Sequence, residues 1–343
     1  MQLKFLSLPP GERQVYFVEA AARRNLHAAI LEKDFWVCWL LAVLFDDPEL
    51  RDSVVFKGGT SLSKVHGAIE RFSEDIDLSV SPSWLGVAED ALPAVASRGE
   101  RDRWMTALQA ACTAKVVSQI QPRIEAAAAA VLGLRTGGRS WIEYQDDPAT
   151  HSPVLLFHYP ITSRASFGYL PRNVKLEFGS LTEQRPVGLH RVRPWVAEEL
   201  PQAFADWHCE VVALDIGRSF WEKASILHAE HHRDPALAMP LRYSRHYADT
   251  AALGRLPAVQ ATLGDHALRD RVVAWKARFF ARGWARYDLA CPPTFRLVPP
   301  PGRAQELAAD YAAMSPMYFT KPPTFDAVLT ALGQMEVEIN RSL

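Results

Sequence analysis

The chain has 343 residues, 48% of them hydrophobic, which is typical of a globular protein long enough for two hydrophobic cores. Its formal net charge of −1 excludes a globally basic nucleic-acid binder but permits a local basic surface. No apolar run approaches the roughly 18 residues that a membrane span needs, and the first residues lack the apolar core of a signal peptide. The four cysteines are far apart without a CxxC pair, which argues against disulfides and a zinc site and predicts a cytoplasmic protein.

Helices and strands are mixed in the sequence up to residue 214. Hydrophobic spacing predicts helices over 12–45 (two helices, the second from Glu32), 60–69 and 100–132. The predicted strands are 54–56, 76–80, 141–144, 153–159, 173–179, 188–193 and 209–214, with a turn-rich stretch at 160–172.

From residue 215 onward the pattern is helical. Helices are predicted over 215–231, 243–254, 266–282, 304–313 and 324–341, and the proline cluster at 292–301 predicts a loop. The sequence therefore predicts an α+β protein, with a mixed sheet and helices in a domain of residues 1–207 and an α-helical C-terminal domain of residues 208–343.

The segment 54–64, VVFKGGTSLSK, predicts a strand that turns through two glycines into a helix. Unpaired amides at such a turn attract phosphate, and Gly58 and Gly59 would let a phosphate approach without a Cβ clash. Thr60 or Ser61 could cap the helix or contact phosphate oxygens. Most Gly-Gly-Ser stretches are only turns, however, so this motif is weak by itself.

Two carboxylates follow one helix later. In a strand, residues i and i+2 project from the same face, so Asp75 and Asp77 are expected to point together above the sheet. Neighbouring carboxylates repel each other, and a divalent cation is the usual remedy. The alternative is the wet face of an exposed edge strand.

Together, these motifs resemble the nucleotidyltransferase signature of the DNA-polymerase-β type. More narrowly, KGGTSLSK followed by RFSEDIDL resembles the AbiEii/AbiGii toxin family, whose relatives include the mycobacterial MenT toxins of type IV toxin–antitoxin systems. Further segments resemble family blocks in the same order: EKDFWV at 32–37, VKLEFGS at 174–180, RSFWEKASILHAE at 218–230, SRHYADTAAL at 244–253 and DYAAMSPMYF at 310–319. The resemblance spans most of the chain. It implies a polymerase-β-type first domain whose active-site cleft is closed by the helical domain.

The resemblance also implies the roles of individual residues. Asp75, Asp77 and Glu177 would bind Mg²⁺ (or Mn²⁺) and catalyse transfer from a nucleoside triphosphate. Phosphate contacts are expected from the residues around the glycines: Lys57, Gly58, Gly59, Thr60, Ser61 and Lys64. Glu177 could instead belong to a solvated Lys-Glu strand face.

Two predicted site residues come from the helical domain. The resemblance implies that Lys223 reaches the triphosphate and that Asp249 completes the nucleotide pocket. Lys223 could instead extend its amine to water from a buried helix. Asp249 could simply pair with Arg245, four residues earlier on the same helix face.

A local basic surface is predicted in the helical domain. The segment from Arg242 to Arg303 contains eleven Arg and Lys residues but only four Asp residues, and arginines alternate with aromatics over 271–288. That composition suits phosphate contact and base stacking on RNA, or else an ordinary amphipathic helix.

The resulting hypothesis is an Mg²⁺-dependent transfer of a nucleoside monophosphate from an NTP to an acceptor hydroxyl. By resemblance the acceptor is the 3′ end of tRNA, and the protein is a growth-inhibiting toxin controlled by a cognate antitoxin. The alternatives are nucleotidyl transfer to a protein or small molecule, phosphoryl transfer to a protein (including Ser61 itself), and a non-catalytic NTP-binding regulator.

Overall fold

The computed structural model describes residues 4–87, 97–148, 150–162, 171–205 and 207–341. The chain forms two compact units: unit 1 comprises Met1–Val65 and Ser73–Ala213, and unit 2 comprises His66–Phe72 and Leu214–Leu343. The chain therefore passes from one unit to the other at 65/66, 72/73 and 213/214. No helix among the described residues is long and apolar enough to span a membrane.

Unit 1 begins with two helices, α1 (Pro10–Arg24) and α2 (Ala28–Phe45). The sequence predicted both, but α2 starts four residues before the predicted Glu32. The start is explained by His27, whose Nδ1 accepts a hydrogen bond from the amide of Ala29 at 3.2 Å. Nearly every residue of α2 is buried, so the helix forms part of the core of this unit.

A seven-stranded mixed sheet is the centre of unit 1, in the strand order β3-β4-β5-β2-β1-β7-β6. The strands are β1 (Val54–Lys57), β2 (Ile76–Val80), β3 (Ile142–Asp146), β4 (Pro153–Phe157), β5 (Val174–Gly179), β6 (Val187–Val192) and β7 (Cys209–Leu214). All seven were predicted within three residues at either end. Strand β2 pairs antiparallel with β1 and parallel with β5, which confirms the α+β class with a mixed sheet.

Helix α3 (Gly58–Lys64) joins directly to β1 and ends earlier than the predicted Ile69. The chain turns at Gly67, which has a φ of +57°, and the following residues bind elements of unit 2 instead of continuing the helix. Local propensity over VHGAI is thus overridden by tertiary hydrogen bonds.

The long predicted helix at 100–132 is present but contains a π-helical turn. Helix α4 (Arg98–Lys115) leads into the π turn Val116–Ile120 and then into α5 (Gln121–Leu132). Pro122 offers a reason for the wider turn, because a proline inside a helix has no N–H and clashes with the carbonyl four residues earlier. A short helix, α6 (Trp195–Glu199), follows β6.

Unit 2 is helical in the part that the structure describes. Its helices are α7 (Ile216–His231), α8 (Ser244–Leu253), α9 (Pro257–Gln260), α10 (His266–Phe279), α11 (Pro301–Ala313) and α12 (Phe325–Arg341). Asp215 caps α7 by accepting hydrogen bonds from the amides of Gly217 and Arg218. The predicted turn-rich stretch at 160–172 falls mostly outside the described residues.

The segment 66–72 is attached to unit 2 by backbone hydrogen bonds. The amide of Phe72 donates to the carbonyl of Met317 at 2.7 Å, and the amide of Phe319 donates to that of Glu70 at 3.0 Å. Arg71 and Tyr318 form an isolated antiparallel bridge between these two stretches. The loop between α3 and β2 is therefore held by the helical unit.

Candidate active site

The turn at Gly58 packs directly against the carboxylate of Asp77. Gly58 has a φ of +76°, which glycine adopts far more readily than other residues. A Cβ atom built at this position would lie 1.8 Å from Oδ2 of Asp77, a distance that no real contact allows. The two sequence motifs are thus fitted together, and Gly58 leaves the space that the carboxylate occupies.

The sheet brings the predicted carboxylates into one row. Strand pairing places Lys57 of β1 opposite Asp77 of β2, and Asp77 beside Glu177 of β5. Residues paired directly across strands project from the same face of a sheet. Asp77 and Glu177 therefore share one face, with Lys57 on the other side of Asp77.

Asp75 lies just before β2, and its pKa reflects burial and the neighbouring negative charges. Burial, followed by the charges of Asp77, Glu74 and Glu177, raises the pKa of Asp75 to about 7, against a smaller opposing effect of Lys175. A carboxyl group so perturbed is buried where several negative charges lie close together. This is the environment that a phosphate-bound divalent cation would relieve.

The donor chemistry fits Mg²⁺, because carboxylate oxygens are its preferred protein ligands. Among the described residues, however, no three His, Cys, Asp or Glu side chains are already grouped as a metal site. Glu177 is bound by Lys175, two residues earlier on the same strand face. The three carboxylates thus have the chemistry of the site but not its finished geometry, and Glu177 would have to release Lys175 to join the other two.

The hydroxyl of Thr60 fixes the backbone beside these carboxylates. Its Oγ1 donates to the carbonyl of Asp75 at 2.5 Å and lies 3.0 Å from Oγ of Ser73. Oγ of Ser61 is buried and has no hydrogen-bond partner among the described residues. Thr60 therefore positions the acidic segment, whereas the Ser61 hydroxyl keeps its hydrogen-bonding capacity.

Lys64 lies in a buried ion pair at the end of α3. Its Nζ is 2.8 Å from Oδ1 of Asp34 and 4.5 Å from the ring centre of Trp195, and both charged side chains are 3% exposed. Burial disfavours the charge on Lys64, but Asp34, Cys38 and Glu198 together outweigh burial and raise the pKa of the amine. This arrangement gives Lys64 a structural role, and its phosphate contact stays a prediction.

Lys223 and Asp249 meet within unit 2, as members of a buried cluster with Arg71. Asp249 accepts two hydrogen bonds from the Arg71 guanidinium, both at 2.8 Å, and one from Nζ of Lys223 at 2.9 Å. Burial alone would raise the pKa of Asp249, but Arg71 and then Lys223 hold it well below its usual range. Burial lowers the pKa of Lys223 more than Asp249 raises it, and the nearby Arg71 lowers it further.

Two sequence interpretations of this cluster need correction. Arg245 makes no ion pair with Asp249 among the described residues; Asp249 pairs instead with Lys223 and with Arg71, 178 residues earlier in the sequence. Lys223 does not extend into water, since its amine is buried against the carboxylate. The position of Arg71 in RFSEDIDL marks it as a residue that flanks the acidic pair, but the sequence does not indicate that it binds Asp249.

The predicted basic surface is only partly available. At least four of its eleven cations form ion pairs with acidic residues, and two of these acidic residues lie outside the counted segment: Arg269 with Asp270, Arg286 with Asp288, Arg296 with Glu336, and Arg303 with Glu306. On α10, Trp275 packs on the buried Phe279, whereas Phe280, just after the helix, is 39% exposed beneath the amine of Lys276. The aromatic residues here are thus partly in the core and partly exposed, and RNA binding by this segment stays a prediction.

A β1–Gly-Gly–α3 turn fitted against Asp-x-Asp on a mixed sheet defines a nucleotidyltransferase. Residues 39–331 match the family model described as nucleotidyl transferase AbiEii toxin, type IV TA system. The chain belongs to this family, and is accordingly a nucleotidyltransferase toxin of the type IV toxin–antitoxin class.

A solved structure resembles the whole chain. It is MenT4, a nucleotidyltransferase toxin from Mycobacterium tuberculosis H37Rv, with a TM-score of 0.52 and 15% sequence identity. The match covers 95% of this chain and 90% of MenT4. At this identity the likeness confirms the fold. No curated protein sequence matches the chain.

Proposed function

We propose that this protein transfers a nucleoside monophosphate from an NTP to an acceptor hydroxyl in an Mg²⁺-dependent reaction, and that Mn²⁺ can replace Mg²⁺. The observation that supports this most is the row formed by Asp77, Glu177 and Lys57 over the Gly58 turn. Bound at Asp75, Asp77 and Glu177, Mg²⁺ would neutralise the triphosphate and the developing negative charge.

The reaction forms one bond and breaks one. The acceptor oxygen bonds to the α-phosphorus, the bond from that phosphorus to the β-phosphate bridging oxygen breaks, and pyrophosphate leaves. One of the three carboxylates takes the acceptor proton, and Glu177 is our choice because it lies at the edge of the cluster next to β4. Lys57 and the backbone of Gly58, Gly59 and Ser61 contact the phosphates, with Thr60 holding Asp75 in place.

Lys223 and Asp249 of unit 2 serve the same nucleotide in this proposal. A lysine amine that burial pushes toward the neutral form gains from a phosphate as a second negative partner. Asp249 holds that amine at 2.9 Å and is itself held by Arg71. Asp249 thus acts as a positioning residue.

The proposed acceptor is RNA, specifically the 3′ end of tRNA. Support comes from the excess of basic over acidic residues in 242–303, eleven against four, and from the exposed ring of Phe280, the residue after α10. Cations bind phosphates, and exposed rings stack on bases. The modified tRNA would no longer accept an amino acid, which accounts for a growth-inhibiting toxin, and a cognate antitoxin in the same cytoplasm would restrain it.

The test uses total tRNA, Mg²⁺ and each NTP in turn, labelled at the α-phosphate in one set and at the γ-phosphate in another. We expect the α-label to enter tRNA, and the Asp77→Ala variant to lose at least about 100-fold of that activity. Asp52→Ala, which removes an exposed aspartate of unit 1, is the matched control and should be unchanged.

The other outcomes identify the alternatives. If the label enters a protein or a small molecule instead of tRNA, that molecule is the acceptor. Transfer of γ-label alone would make the reaction phosphoryl transfer, with the unpartnered Ser61 hydroxyl as one candidate target. NTP binding without release of pyrophosphate would make the protein a regulator.

A further inference from the structure

A cavity of about 250 Å³ is lined entirely by residues of unit 2. Its walls come from residues 67–71, from α8 with the two residues after the Gly254 turn, and from residues between Tyr311 and Val328. Much of the wall is apolar, including Ala248, Ala252, Leu256, Pro322 and Val328. The volume is a little below the roughly 300–1,000 Å³ of sites for drug-sized ligands, so one ring system with a short substituent would fill it.

Two tyrosines give the cavity flat walls and a buried polar atom. The rings of Tyr311 and Tyr318 meet edge to face, with centroids 5.8 Å apart. The Tyr311 hydroxyl donates to the carbonyl of Pro323 at 3.1 Å. The Tyr318 hydroxyl is buried near that of Tyr311, yet it makes no hydrogen bond of normal geometry among the described residues. Buried polar groups are nearly always satisfied, so this hydroxyl suits a ligand with a polar edge.

Two cations complete the lining. Arg255 and Lys321 are both exposed, and neither forms an ion pair with a described residue. By contrast, the carboxylate of Glu70 is engaged by the hydroxyl of Thr320 at 2.7 Å, and that of Asp249 by Arg71. The cavity therefore combines an apolar interior, a buried hydroxyl and cations open to solvent.

We infer that this cavity binds one nucleotide, with its base between the apolar wall and Tyr318 and its phosphate at Arg255 and Lys321. A flat ring with polar edges and an anionic end matches the three kinds of lining group. The nucleotide comes from the end of an RNA acceptor or from the free pool. The lining would suit other flat anionic molecules as well, and the choice of a nucleotide rests on the proposed function.

The position of the cavity gives its occupant a way to act on the reaction. Arg71 and Asp249 both line it, and Asp249 holds the amine of Lys223 on the same carboxylate oxygen that Arg71 contacts. A ligand seated in the cavity presses on this pair and so bears on the orientation of Lys223. The site is consequently a place where an acceptor or effector would be sensed.

The experiment measures direct binding by calorimetry, without catalysis. AMP, CMP, GMP and UMP, and short RNA oligonucleotides with a free 3′ hydroxyl, are titrated into the full chain in EDTA, which removes the metal that a triphosphate site needs. Lys321→Ala and Arg255→Ala each delete one cation, and Ala252→Trp fills the cavity. Arg341→Ala and Ala312→Trp repeat these changes at exposed positions of α12 and α11.

We expect at least one nucleotide to bind, and its affinity to fall about tenfold in each cation variant, as for loss of one charge-assisted hydrogen bond. Ala252→Trp should abolish binding, and both controls should bind like the wild type. Stronger binding of oligonucleotides would identify the RNA end as the source, and binding of mononucleotides alone would identify a free nucleotide.

The inference is overturned if no nucleotide or oligonucleotide binds, or if the cavity variants bind as well as the controls. Its failure is separate from failure of the proposed function. If the protein transfers nucleotides but binds none in this cavity, only the inference about the cavity is refuted. If nucleotides bind in the cavity but no transfer occurs, only the proposed reaction is refuted.

Discussion

Gly58 is the residue at which a small change should have the largest effect on catalysis. Gly58→Ala places a methyl group where Oδ2 of Asp77 lies, and a φ of +76° adds backbone strain of about 1 kcal/mol. We expect loss of at least about 100-fold of nucleotidyl transfer, because the carboxylate must move. Radiolabel transfer and thermal unfolding would be measured together.

The matched control is Gly86→Ala. Gly86 has a φ of +82° but open space around its missing Cβ, so it carries the backbone strain without the collision. Its activity should stay at the wild-type level with a modest loss of stability. Equal activity of the two variants would mean that the contact between Gly58 and Asp77 does not matter for the reaction.

Arg71 and Lys223 both bind the carboxylate of Asp249, but their substitution should affect stability and activity differently. Arg71→Ala leaves a carboxylate that is 1% exposed with one of its two cations gone, and should destabilise the fold by about 3–5 kcal/mol. Lys223→Met removes an amine that burial already disfavours, and Arg71 keeps both of its hydrogen bonds to Asp249. We therefore expect a loss of about 1 kcal/mol or less with full loss of activity.

Urea unfolding and the transfer assay would separate the two roles. If Lys223→Met were destabilised as strongly as Arg71→Ala, the lysine would serve the fold and not the phosphates.

Helices α2, α3 and α6 meet around a single buried ion pair. Asp34 of α2 binds Lys64 of α3 and accepts a hydrogen bond from the amide of Trp195 of α6 at 2.6 Å. Lys64→Ala would leave the buried carboxylate of Asp34 without its cation, and we expect the free energy of unfolding to fall by about 3 kcal/mol or more.

The double variant Asp34→Asn with Lys64→Met removes both charges together. We expect most of the stability to return and activity to return with it, because the amine is buried away from solvent. A stable but inactive double variant would instead support the predicted phosphate contact of Lys64.

The C-terminal end of α7 is attached to the following loops through His228. Its Nε2 donates to the carbonyl of Arg286 at 2.9 Å, and its Nδ1 accepts from the amide of Arg296 at 3.1 Å. Burial, with repulsion from His232 and His231, lowers the pKa of His228 to about 4, so the folded ring stays neutral. The unfolded chain binds the proton first, near pH 6.5.

The stability that His228 contributes is therefore present above pH 6.5 and is lost as the pH falls toward 4, by up to about 3 kcal/mol. His228→Gln should flatten the fall in urea midpoint between pH 6.5 and 4.5, while His208→Gln, at an exposed position, should not. An unchanged slope in His228→Gln would show that other groups cause the acid sensitivity.

Most elements could be predicted from local pattern, and the errors have physical causes. The helix predicted to Ile69 ends at Lys64 because Glu70 and Phe72 form backbone hydrogen bonds with Phe319 and Met317, far away in sequence. The helix predicted to 282 ends at Phe279, which local periodicity places only within a few residues.

The site was predictable as a set of residue types but not as a geometry. Spacing places Asp75 and Asp77 on one face, whereas the alignment of Asp77 with Glu177 depends on a parallel pairing of strands about a hundred residues apart. The partnership of Arg71 with Asp249 has no local signature at all. Burial of Lys64 likewise follows from packing between three helices.

The division of the whole chain into two units predicts how fragments behave. A fragment of residues 1–213 keeps the sheet but loses the partners of segment 66–72: Met317, Phe319 and Asp249. We expect limited proteolysis to cut this fragment within 66–72, whereas the full chain should resist, because the amide of Phe72 and the carbonyl of Glu70 are hydrogen-bonded there. Equal resistance of the two would mean that the segment needs no support from unit 2.

The passage of segment 66–72 through unit 2 also limits how such toxins can recombine. A single crossover near residue 213 would bring in a new helical unit but leave the old segment, which is encoded between the Gly-Gly turn and Asp75. The incoming unit would have to bind Arg71 and form the β-bridge with segment 66–72, although that segment evolved with a different helical unit. Exchange of halves between related genes should therefore favour close relatives, and productive hybrids should carry both stretches from one parent.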